Sequence, residues 1–109
     1  MKSRRVKLVA LTLLLATIQL LAQGQTGSGA KPPAVHSVIL TWLPSPGATS
    51  YNIYRGTVSG GPYVKIGIAL NPTYTDTPVP SGAVFYYVAT TVQGKEESNY
   101  SKEIKASVP

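Results

Sequence analysis

From residue 35 onward, apolar and polar positions alternate in short runs that are broken by Gly and Pro. Ser37 to Leu43 reads S-V-I-L-T-W-L. A two-residue period puts Val38, Leu40 and Trp42 on one face, with Ile39 and Thr41 on the other. Pro44-Ser45-Pro46-Gly47 ends this run. Tyr51 to Arg55 follows, with Tyr51 and Ile53 sharing a face, and Gly56 to Pro62 reads as a turn-rich connection. Tyr63 to Ile68 and Thr73 to Asp76 are short runs. They are separated by Asn71-Pro72 and closed by Pro78-Val79-Pro80-Ser81-Gly82. Val84 to Val92 is the longest run. Phe85, Tyr87, Ala89 and Thr91 lie on one face; Tyr86, Val88, Thr90 and Val92 lie on the other. After a turn at Gln93 to Glu97, Tyr100 to Val108 reads as an edge strand with Ile104 and Ala106 as its apolar members. No stretch after residue 34 carries a sustained 3.6-residue stripe. Six or seven strands spaced by turn residues predict an antiparallel sandwich, with Trp42 and Tyr87 filling the space between its layers.

The first 34 residues follow another pattern. Met1 to Lys7 is basic, and Leu8 to Ala22 is an apolar run interrupted by Thr12, Thr17 and Gln19. Small and polar residues come next, Ala22-Gln23-Gly24-Gln25. This is the pattern of a secretory signal over 1–22, helical and cleaved after Ala22 or Gly24. Retained, it would be a membrane anchor, though its fifteen residues fall short of the ~20 needed to span a bilayer. Residues 23–34 are rich in Gly, Ser, Gln, Thr and Pro and read as a flexible linker. The stretch Gly24 to Lys31 superficially resembles a phosphate-binding loop, but its Lys is displaced and Pro32 stands where Ser or Thr is needed.

Charge and composition narrow the chemistry. The net charge of the 109-residue chain is +6, and Lys2, Arg4, Arg5 and Lys7 supply most of it. The high pI therefore belongs to the N-terminus, and the scattered basic residues beyond it do not form the patch that nucleic acid requires. The absence of cysteine excludes disulfides, thiol nucleophiles and zinc knuckles. His36 is the single histidine, too few for a zinc site. The acids beyond the leader are Asp76, Glu96, Glu97 and Glu103, and all four are expected to be solvated charges. No Gly-x-Ser-x-Gly elbow is present, so neither catalysis nor a cofactor is expected.

In order and spacing these runs resemble a fibronectin type III domain of the kind found in exported bacterial proteins. The resemblance rests on Val38-Ile39-Leu40-Thr41-Trp42, on Tyr51-Asn52-Ile53-Tyr54-Arg55-Gly56 and on Ser59-Gly60-Gly61-Pro62-Tyr63-Val64-Lys65-Ile66. It continues through Tyr74-Thr75-Asp76, Val79-Pro80-Ser81-Gly82, Phe85 to Val92 and Glu97-Ser98-Asn99-Tyr100-Ser101, and so covers most of 35–109. It implies an all-β, immunoglobulin-like sandwich of about seven strands that needs no disulfide. It also implies a non-catalytic module for protein–protein contact or spacing at the cell envelope or outside the cell. The alternative is an accessory to polysaccharide binding or degradation, with exposed tyrosines such as Tyr63 stacking on sugar rings. The candidate partner surface is the outward face carrying Tyr54, Tyr86, Val88 and Val92. A membrane contact is expected only through an uncleaved N-terminal segment.

One position departs from the family pattern. The tyrosine expected three residues after Gly82, whose hydroxyl would bond back to the backbone, is Phe85 here. Phe85→Tyr should gain about 1 kcal/mol, the net value of one hydrogen bond. Thermal unfolding should show a raised midpoint, and an unchanged or lower one would mean that Phe85 does not occupy this corner.

Overall fold

The structure, a computed structural model, describes residues 13–21 as backbone and 35–109 in full. Eight strands make two antiparallel sheets: β1 (Leu13–Leu21), β2 (Val35–Trp42), β3 (Ser50–Gly56), β4 (Val64–Ala69), β5 (Thr73–Val79), β6 (Val84–Gln93), β7 (Glu96–Glu97) and β8 (Ile104–Ser107). One sheet has the order β1-β2-β5. The other has the order β4-β3-β6-β7, with β8 also pairing β6. No helix occurs among the described residues, as the alternation implies.

The alternation places the side chains as expected. Val38, Leu40 and Trp42 face Tyr51, Ile53, Tyr87 and Ala89 across the two layers, and all are buried. Trp42 meets Tyr51 edge-on, with ring centroids 5.2 Å apart. Burying each large side chain contributes roughly 1.5–3 kcal/mol, which is how a domain without disulfides is held together. At the rim of β4, Gly67 leaves room for Tyr74. A Cβ at Gly67 would lie 2.5 Å from the Tyr74 hydroxyl, which donates to the Ile66 carbonyl. The turn from β6 to β7 has Gly94 at φ +61°, a left-handed conformation that any other residue adopts at a cost, followed by Lys95 at negative φ.

Three expectations need correction. Leu13–Leu21, expected as part of a helical signal peptide, is extended and pairs with β2 from Leu13↔Trp42 to Leu21↔Val35. Nine residues make a marginal isolated helix, whereas the free edge of β2 offers a full row of backbone partners. The rest of the expected signal and the 23–34 linker lie outside the described residues. Second, Asp76 is not a solvated charge. It is buried in β5, and its Oδ2 accepts from Arg55 Nη1 at 2.8 Å and from the Tyr87 hydroxyl at 2.6 Å. Sequence reasoning missed this because the partners lie on the opposite sheet. Burial and the bond to Asp76 push the Tyr87 phenol far above its ordinary value.

The third correction concerns the last strand, which is not continuous from Tyr100. It breaks between β7 and β8, and Ser98 and Ser101 bridge the gap. Their hydroxyls accept from the Thr91 and Ala89 amides, while their own amides donate to the carbonyls of the same two residues. The corner at Gly82 is held by other means than a tyrosine hydroxyl. The Gly82 amide donates to the Val108 carbonyl and the Val108 amide to the Ala83 carbonyl. The Phe85 ring lies under the Arg55 guanidinium at 4.4 Å, a cation–π contact.

Tyr87→Phe should cost roughly 1.5–3 kcal/mol, the range for a hydrogen bond to a charged group. Denaturant melts of the variant should show an earlier midpoint at unchanged slope; an unaltered midpoint would deny the bond to Asp76 any role in stability.

Candidate functional site

The side chains of β3 and β6 alternate about the sheet plane. Tyr51, Ile53, Tyr87 and Ala89 point inward, so Asn52, Tyr54, Tyr86, Val88, Thr90 and Val92 point outward. The candidate residues therefore share one face. Tyr54 lies directly opposite Val88, while Tyr86 lies opposite Gly56 and Val92 opposite Ser50. Tyr54 and Tyr86 are thus not a direct pair. Tyr54, Tyr86 and Val92 are half-buried. Val88, at 1% exposure, is buried although it lies outside the central core, so it offers no contact surface.

The 97–103 segment runs beside β6 and reaches over this face with its side chains, and its residues were not in the expected set. The Tyr100 ring meets Tyr54 edge-on at 5.1 Å and Tyr63 edge-on at 5.2 Å between centroids. Tyr100 is about half exposed, at 48%. Glu97 accepts through Oε2 from Asn52 at 3.0 Å, from Thr90 at 2.6 Å and from the Tyr54 hydroxyl. Glu103 accepts from the Ser59 hydroxyl and the Gly60 amide, each at 2.7 Å, and from the Tyr63 hydroxyl. Three tyrosines and two carboxylates thus form one array. An open depression of about 250 Å³ beside it is lined by Tyr54, Thr90, Glu97, Ser98, Asn99 and Tyr100. The clue in the sequence was Tyr100 flanked by two glutamates three residues away on either side. Only the path of the chain beside β6 turns that spacing into a cluster.

The electrostatics follow from these bonds. The Asn52, Thr90 and Tyr54 donors hold the Glu97 carboxyl below its ordinary value. The Tyr63 hydroxyl and the Gly60 amide do the same for Glu103. On the phenol side, burial and then the bond to Glu97 push Tyr54 up to about 12. Donation to Glu103, followed by burial, pushes Tyr63 up to about 12. Around neutral pH, ionised carboxylates therefore face neutral phenols. Groups of three or more His, Asp or Glu placed to hold a metal are absent among the described residues.

Comparison with known proteins gives the array a context. No protein-family model matches the chain. A segment of the amylopullulanase of Thermoanaerobacter thermohydrosulfuricus is 45% identical over 71 residues, which is 63% of this chain but 5% of that enzyme. The amylopullulanase of Thermoanaerobacterium saccharolyticum is 45% identical over 56 residues, half of this chain and 4% of the enzyme. Among solved structures, an Fn3-like protein from Clostridium thermocellum superposes with TM-score 0.68 at 32% identity, covering 95% of this chain and 96% of that one. The β-1,2-glucanase of Parabacteroides distasonis has a portion of the same fold. It superposes with TM-score 0.62 at 22% identity over 94% of this chain and 13% of that one.

The pKa shifts set the pH limits of the array. A phenol raised in the folded state adds stability that is full below pH ~10 and is lost as pH rises toward 12. A carboxyl lowered in the folded state adds stability that is full above pH ~4.5 and is lost as pH falls through its folded value. A titration followed by tyrosinate absorbance should show two of the seven tyrosines ionising near pH 12 in Tyr54 and Tyr63 fashion, and Tyr54→Phe should remove one of them. Titration of all exposed phenols near pH 10 would mean that the carboxylates do not engage them.

Proposed function

Since the chain belongs to the fibronectin type III family, we propose that it works as a non-catalytic accessory module in polysaccharide processing, exported by the apolar N-terminal segment. The 45% identity to segments of two amylopullulanases carries this reading. It favours the polysaccharide accessory over a general protein-contact spacer. The chain matches only a small part of each enzyme, so the module accompanies the chemistry and does not perform it.

The tyrosine and glutamate array suits this role. Aromatic rings pack against the C–H faces of a pyranose, and ionised carboxylates accept from its hydroxyls. Tyr100 presents the exposed ring, with Glu97 and Glu103 as acceptors on either side. A glycosidase acid must keep its proton near neutral pH, which calls for a raised carboxyl. Both carboxylates here are lowered, so they suit binding and not proton transfer.

Affinity electrophoresis of the full chain in gels carrying amylopectin or pullulan tests the proposal. Retardation is expected, and Tyr100→Ala should reduce it at least fivefold while the melting curve stays close to wild type. Equal mobility in both polysaccharides and in the empty gel would sink the sugar-binding role and return the module to protein contact.

A further inference from the structure

The space between the two sheets is not closed at the Gly56 end of β3. Arg55 pairs with Val64 of β4 on one side and with Tyr87 of β6 on the other, so the three residues share the inner face. Tyr87 is fully buried there, yet Val64 is 68% exposed. An apolar side chain on the inner face that meets water marks where the layers part, and a cleft of about 380 Å³ opens beside it. Phe85, Ile66, Val64 and Pro62 give the cleft apolar walls, Thr57 adds a hydroxyl, and Arg55 supplies a cation. Apolar walls around a few polar groups, at this volume, are the form of a small-molecule site.

The guanidinium is held in place before any ligand arrives. Its Nη1 donates to Asp76 Oδ2 at 2.8 Å, and its central carbon lies 4.4 Å from the centre of the Phe85 ring. An arginine carries five N–H donors, and among the described residues only Nη1 of Arg55 has a partner. The Arg55 side chain is 32% exposed and that of Asp76 11%, and Asp76 is occupied by Arg55 and Tyr87. A molecule entering the cleft therefore meets the cation, with the carboxylate behind it. No acidic residue is among the described residues that line the cleft. We propose that this cleft binds an apolar monocarboxylate. The acid takes the free guanidinium donors, and one aromatic or branched aliphatic group packs against Phe85, Ile66 and Val64. The site lies on the inner face, away from the tyrosine and glutamate array, and depends neither on sugar binding nor on export.

Amide chemical shifts of the full chain, titrated with phenylacetate, test the site. The amides of Arg55, Thr57, Val64 and Phe85 should move together and saturate, with a dissociation constant on the order of millimolar for so small a ligand. Phenylacetamide, equal in shape but uncharged, should bind about tenfold more weakly. Arg55→Ala would leave Asp76 buried without its cation and could unfold the chain, so the variants are made at the exposed Val64. Val64→Glu should weaken phenylacetate about tenfold by adding a like charge at the mouth, and Val64→Lys should restore or tighten binding. Melting curves of both variants should stay near wild type. N-acetylphenylalanine distinguishes the source of the acid. Tighter binding than phenylacetate identifies the carboxylate of a peptide chain end, and equal or weaker binding a free acid. The site is overturned if no shift saturates at these amides, if phenylacetamide binds as well as phenylacetate, or if Val64→Glu leaves the affinity unchanged.

Discussion

One carboxylate ties the two sheets together. Asp76 extends from β5 between the layers and is met by Arg55 of β3 and Tyr87 of β6. A buried charge without partners would cost several kcal/mol, so the three side chains are needed together. The arrangement restricts how one sheet may slide over the other, because a shift would carry Arg55 and Tyr87 away from Asp76 and leave the carboxylate buried without partners. The Arg55 guanidinium also covers the Phe85 ring, so the same cation serves the apolar floor of the sandwich. The apolar core around Trp42 and Leu40 supplies most of the stabilisation, and the polar triad selects one registration of that core.

With the inner face committed to the core, the outer face of β3 and β6 carries the tyrosine and glutamate array. That face is sculpted by an interruption. Where the last strand breaks, Ser98 and Ser101 keep the segment beside β6 through hydroxyl and amide, and Tyr100 and Glu103 of that segment, with Glu97 at the end of β7, gather about Tyr54 and Tyr63. A regular strand would alternate these residues up and down at the sheet edge. The break is what collects three aromatic rings and two carboxylates in one place.

A fibronectin type III fold says little about what a given member binds, since function lies in the site that the fold carries. The array on this face is therefore the informative feature. The role proposed for it draws on the identity to amylopullulanase segments and on the fit of rings and ionised acceptors to sugars. At the opposite sheet, one nine-residue segment combines an export-like composition with a place beside β2.

The strands from Val35 to Gln93, their facing and the core were legible in the residues alone. Alternation is a local property, and Val38, Leu40, Trp42, Ile53 and Tyr87 are buried where a two-residue period puts them. Three features were decided by tertiary structure, each because it joins residues far apart in the chain. Asp76 reads as a loop charge until the second sheet brings Arg55 and Tyr87 to it. Tyr100 reads as an edge-strand residue until the serine-bridged segment beside β6 sets its ring against Tyr54 and Tyr63. Leu13–Leu21 reads as a leader by composition, and only the vacant edge of β2 makes a strand of it, because a backbone hydrogen-bond partner appears nowhere in a segment's own sequence.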